Sequence, residues 1–136
     1  MESLNLAAIW DLKFILVVEN NQYAVSTKIE ESTRETDLYK RGLAIGVESH
    51  QVDGNDPLAV YEMTKEAVQK CREGKGPILI EAKTYRYYNH WGAPGAEVGK
   101  LGAFGYDPLA INSFRPEREV RAWMQRDPVD IARKTL

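Results

Sequence analysis

The chain has 136 residues, 43% hydrophobic and 28% charged, a composition that fits one globular domain and excludes a disordered tail. A formal net charge of -2, with Lys and Arg interspersed among Asp and Glu, excludes the basic stripe that nucleic-acid binding needs. One cysteine rules out an internal disulfide, and no apolar run approaches the ~20 residues of a membrane span, so a protein of the reducing cytoplasm is expected.

The run Leu4 to Trp10 suits a helix, with little before it to begin or cap it, so the start looks cut. Phe14 to Val18 is continuously apolar, the pattern of a central strand of a parallel sheet covered on both faces, and it ends at Glu19-Asn20-Asn21. A short helix is expected from Asp37 to Ile45, then a weak strand near Gln51 and Val52 that runs into Asp53-Gly54-Asn55. Asp56-Pro57 is the clearest helix start, an N-cap followed by proline where its missing N–H costs nothing. On that helix Val60, Met63, Ala67 and Cys71 recur at three- and four-residue spacing, which makes Cys71 a core residue, and Gly74 can stop it.

Pro77 opens a strand from Ile78 to Thr84, with Ile78, Ile80, Ala82 and Thr84 on one face and Glu81 and Lys83 on the other. An aromatic loop follows. Residues 89–115 hold five glycines and two prolines, an irregular stretch longer than an ordinary connection. Pro116 to Gln125 and Pro128 to Leu136 read as two charged surface helices.

Strand, helix, strand, helix, strand is the order of an α/β fold with a parallel sheet and flanking helices, in one domain over residues 1–136. The three strands then run the same way, and ligands of open α/β sheets bind outside the carboxyl ends. The segments to inspect are Glu19 to Tyr23, Asp53 to Asn55, and Tyr85 to His90, all polar or aromatic. Asn20-Asn21 offers neutral oxygen ligands there, although spacing alone reads the pair as a turn.

The stretch Glu2 to Trp10, the strand Phe14 to Val18 and Glu19-Asn20-Asn21-Gln22-Tyr23 closely resemble the second half of a thiamine diphosphate motif. The motif is that of the alpha subunits of 2-oxo acid dehydrogenases, the decarboxylating component of the pyruvate, branched-chain and acetoin type. Val52 to Asp56, Ala59-Val60-Tyr61, Glu81 to Tyr87 and Arg126-Asp127-Pro128 resemble the same family, leaving an apparent insertion from Ala96 to Ser113. The resemblance implies a truncated diphosphate-binding domain in which Asn21 gives its side-chain oxygen and Tyr23 its backbone carbonyl to Mg²⁺ on thiamine diphosphate. Magnesium does take hard oxygen ligands and completes them with phosphates and water.

The same resemblance makes His90 an active-site loop histidine, of a residue type suited to proton transfer; the bland reading is a surface histidine. His50 has no matching role. Trp91 replaces the usual small hydroxyl residue and Ala93 a common acidic one, which removes support for phosphorylation at Trp91. Phe104, Tyr106 and Phe114 either reshape access or belong to a plain surface loop.

By resemblance the partners are a beta subunit and a lipoyl-bearing acyltransferase, and the reaction is oxidative decarboxylation with acyl transfer to lipoamide. The aspartate that opens the motif would precede Met1, so weak cofactor binding and no activity alone are expected. The alternative is a non-catalytic relative that self-associates through exposed sheet edge and apolar helix faces.

Overall fold

The order of elements follows the apolar runs. In the computed structural model, which describes residues 1–87 and 115–135, helix α1 (Glu2–Ile9) leads into strand β1 (Ile15–Asn20). A small hairpin of β2 (Tyr23–Ala24) and β3 (Thr27–Lys28) runs into the short helices α2 (Ile29–Ser32) and α3 (Lys40–Leu43). Strand β4 (Glu48–Asp53), helix α4 (Pro57–Arg72) and strand β5 (Ile78–Lys83) follow, and then helices α5 (Glu117–Met124) and α6 (Pro128–Thr135).

The sheet is parallel, in the order β1-β5-β4. β5 is therefore central, and Ile78, Leu79 and Ile80 are at most 2% exposed. Burying a side chain of that size contributes roughly 1.5–3 kcal/mol. Alternation along the strand sends Ile78, Ile80 and Ala82 to α4, where they meet Ala67 and Cys71. Leu79 goes to the opposite face, against Leu4 of α1, Val47 and Tyr39.

α4 begins as its sequence predicts: the Asp56 carboxylate accepts from the N–H groups of Leu58 and Ala59. It ends before Gly74, whose φ of +77° glycine tolerates. The α3 segment is shorter than expected, and β4 is longer, taking in His50.

Two expectations need correction. β1 is not covered on both faces: it pairs only with β5 among the described residues, and Val17 is 52% exposed. A continuous apolar run cannot distinguish a central strand from an edge strand. Helix α5 is more than a surface helix, because Val120 is fully buried against Tyr23 and Tyr85 with Trp123 beside it.

Candidate functional site at the carboxyl ends of the strands

Parallel register brings three chain segments to one rim. Asn20 of β1 and Asp53 of β4 both stand opposite Lys83 of β5, so the strands end level. Beyond the ends, Thr84 N donates to Asn20 O at 3.0 Å and Gly54 N to Lys83 O at 2.7 Å. A Cβ on Gly54 would lie 2.9 Å from that same carbonyl oxygen, so the approach requires glycine.

Asn20 is buried at the end of β1. Its Nδ2 donates to Glu81 Oε1 at 2.6 Å, and its Oδ1 accepts from Gln22 N at 3.3 Å and Gln22 Nε2 at 3.2 Å. Gln22 has a φ of +70°, a left-handed conformation unusual for a side chain of its kind. Asn21 Oδ1 receives a long bond of 3.4 Å from Tyr23 N. The turn is thus built by its own amides, which is the turn reading of the asparagine pair. It also lines an open cavity of about 370 Å³ with Asn21, Tyr23, Thr33 and Arg41 on the wall. Asn21 and Tyr23 both lie on this wall.

Beneath the turn sits Glu81, fully buried on β5. Sequence alternation placed its side chain opposite Ile80 but gave no sign of what it meets. Its second oxygen accepts from Tyr39 N and from Gln51 Nε2, each at 3.0 Å. Burial pushes this carboxyl up, and the bonds from Gln51, Asn20 and Tyr39 outweigh it, so the group stays below the usual carboxylate range and ionised.

The Tyr23 ring packs into an aromatic clamp with Tyr85 and Val120. Its hydroxyl and that of Tyr85 donate to Glu119 Oε1 of α5 at 2.8 and 3.0 Å, while Lys28 Nζ donates to the other oxygen at 2.9 Å. The Arg115 guanidinium lies 4.6 Å from the Tyr23 ring centre, and Tyr85 stacks on Trp123 at 5.3 Å. Burial, reinforced by the Glu119 carboxylate, pushes both phenols up. Asn55, 1% exposed, completes the rim: it accepts from Thr84 Oγ1 at 2.8 Å and donates to Arg126 O at 2.9 Å.

Asn55 falls in a segment the sequence marked for inspection, without a role; Glu81, Arg115 and Glu119 were not among the sequence candidates. Their partners lie far away in the chain, so register and packing reveal them and spacing does not. His90 lies outside the described residues, as do Trp91, Ala93, Phe104, Tyr106 and Phe114. His50 sits back from the rim, its Nε2 2.6 Å from Glu48 Oε1. Among the described residues no three His, Cys, Asp or Glu side chains form a metal cluster, and no helix is long and apolar enough to cross a membrane.

Comparison with known proteins places this rim in context. The family model described as Dehydrogenase E1 component matches residues 1–93. The chain is 35% identical over 135 residues to a pyruvate dehydrogenase E1 component subunit alpha of Rickettsia conorii, covering 99% of this chain and 36% of that protein. It is 48% identical over 89 residues to the subunit of that name from Rhizobium meliloti, covering 65% of this chain and 26% of that protein. A somatic, mitochondrial form from Bos taurus is 49% identical over 89 residues, covering 65% and 22%. The chain thus spans about a third or less of the length of these relatives.

Proposed function

The chain belongs to the dehydrogenase E1 component family, and from that premise we propose that its rim holds the magnesium end of thiamine diphosphate in a 2-oxo acid dehydrogenase alpha subunit. The observation that carries this reading is the Asn20–Tyr23 turn, which lines a cavity at the carboxyl end of β1, in a sheet whose three parallel strands end level. That is where open α/β sheets take ligands.

The donor set fits such a group. Asn21 Oδ1 is committed only to one long bond, and it stands with Tyr23 at the cavity wall. These oxygens are hard but neutral, so they suit Mg²⁺ that already carries a diphosphate better than a bare ion. Asn21 would supply its side-chain oxygen and Tyr23 its backbone carbonyl. Arg41, whose Nη2 donates to Thr33 Oγ1 at 3.0 Å, brings positive charge to the wall. With neutral protein ligands the affinity of this chain alone is weak. When bound, the cofactor supplies the nucleophile for a 2-oxo acid and the sink for the electrons left by CO₂. The chain's own residues orient the diphosphate and keep the rim rigid. His90, three residues beyond Tyr87 in the sequence, is the candidate proton carrier, and the acyl group goes on to a lipoyl-bearing acyltransferase.

Calorimetric titration with Mg²⁺ and thiamine diphosphate tests this. Saturable heat that needs both components, and that Asn21→Ala weakens without changing the far-UV spectrum, is expected. No heat up to about millimolar cofactor refutes the reading.

A second reading has its own observation. Trp10 is 64% exposed, and Ile9 and Leu12 near it in the chain are exposed too; separately, β1 pairs on one side only among the described residues, and its Val17 is exposed. Exposed apolar side chains and an open strand edge both favour a partner. The occupant is a beta subunit or a second copy of the chain. Light scattering behind size exclusion that finds a stable monomer removes the second copy.

A further inference from the structure

We propose that Glu81 is the positioning residue of the asparagine turn: its buried carboxylate decides which way the Asn20 amide points, and so holds Gln22 in the conformation that sets Asn21 and Tyr23 at the cavity. The inference rests on the reading of that turn as the magnesium–diphosphate ligand, and it names a group that touches neither.

An ionised carboxylate only accepts hydrogen bonds, whereas an amide has a donating end and an accepting end. Glu81 Oε1 lies 2.6 Å from Asn20 Nδ2, much closer than the Thr36 carbonyl that accepts from the same nitrogen at 3.4 Å, so the NH₂ of Asn20 faces the carboxylate. Its Oδ1 is then left facing the Gln22 N–H and Nε2. Flipped by half a turn, the same amide would set oxygen against carboxylate and NH₂ against N–H, and both contacts would fail. The carboxylate is itself fixed from two further elements, by Tyr39 N at the head of α3 and by Gln51 of β4. Gln51 also donates to Asp37, which is paired with Lys83 and Lys40, so charge balance lies one step outside the buried group. A buried charge is costly without such partners. A glutamine of equal size would fill the same space but could not accept from all three donors.

Glu81→Gln and the exchange variant N20D/E81Q test the proposal in the full chain. In E81Q the new NH₂ faces the NH₂ of Asn20, which must turn over. The Gln22 amide should then lose its hydrogen-exchange protection in the metal-free protein while the far-UV spectrum is kept. Affinity for thiamine diphosphate with Mg²⁺ should fall on the order of 10- to 100-fold, as when a residue supporting a metal ligand is removed. In N20D/E81Q the glutamine donates to the new carboxylate, which still accepts from Gln22, so protection and affinity should both return.

A folded E81Q whose Gln22 amide exchanges within about threefold of wild type overturns the proposal. Where E81Q does not fold, the exchange variant decides: folded with Gln22 protected, it supports the role, and unfolded or unprotected, it overturns it. A wild-type chain that takes up no cofactor removes the magnesium reading alone, since the Gln22 amide still reports on Glu81.

Discussion

Asn55 offers a quantitative test of how the rim is held. It is 1% exposed, and its side chain joins the end of β5 to the turn between α5 and α6 through Thr84 Oγ1 at 2.8 Å and Arg126 O at 2.9 Å. Asn55→Ala leaves a hydroxyl donor and a carbonyl acceptor without that partner. Each buried group so orphaned costs about 1–3 kcal/mol, and the Thr84 hydroxyl can rotate, so it sits at the low end. A total of roughly 2–4 kcal/mol follows, a large share of the ~5–15 kcal/mol that holds a domain. Urea unfolding should show a lowered midpoint with an unchanged slope. Thr84→Val should cost about 1 kcal/mol, and the double variant less than the sum of the singles, because one bond is counted in both. A cost below about 0.5 kcal/mol for Asn55→Ala, or strict additivity with Thr84→Val, would refute the reasoning.

Further outcomes follow from the same rim. Gly54→Ala puts a methyl 2.9 Å from the Lys83 carbonyl oxygen, a backbone atom that cannot swing aside, so a loss of about 1–3 kcal/mol is expected in the same urea assay. The Tyr87 phenol, which donates to Trp123 O at 3.2 Å, is pushed up to about 12 by burial and by Asp127. A folded value above the ordinary 10.0 means its stabilisation is whole below pH 10 and lost as pH climbs toward 12. Tyrosinate absorbance should therefore rise in two steps, the later one together with unfolding, and Tyr87→Phe should shrink that later step. For Glu119, burial raises the carboxyl, but Lys28, Tyr23 and Tyr85 outweigh it and leave it lowered. Its contribution is present above the ordinary 4.5 and lost as pH falls through the lower folded value, so Glu119→Gln should flatten the acid limb of the stability profile.

Much of the fold was written in local pattern. The helix cap at Asp56, the spacing from Val60 to Cys71 and the three strand segments depend on neighbours along the chain; the cap and spacing stand where predicted, and the strands are present with β1 and β4 reaching further than their apolar runs. Parallel topology then puts the Asn20–Tyr23 turn at the strand ends without any contact having to be guessed. The hairpin of β2 and β3 was missed, since Tyr23–Ala24 and Thr27–Lys28 are too short to show a period. The openness of β1 was missed for another reason: a strand's apolar run records what its residues tolerate, while its place in the sheet depends on what lies beside it.

Polar contacts at the rim resist reading in a more basic way. Asn20 faces Lys83 across the ladder, and Val18 faces Glu81, so the bond from Asn20 to Glu81 runs diagonally between residues 61 apart in the chain. Nothing near either residue encodes the other. Alternation set Glu81 off the apolar face of its strand; the sheet order buries it, and a buried charge must find donors or cost several kcal/mol. The donors it finds belong to the turn, to α3 and to β4, three segments that share no boundary in sequence. A buried carboxylate with only neutral partners therefore ties the ligand-bearing turn to the sheet, and changes in Gln51 or at the start of α3 should reach Asn20 through Glu81 before they reach any ligand.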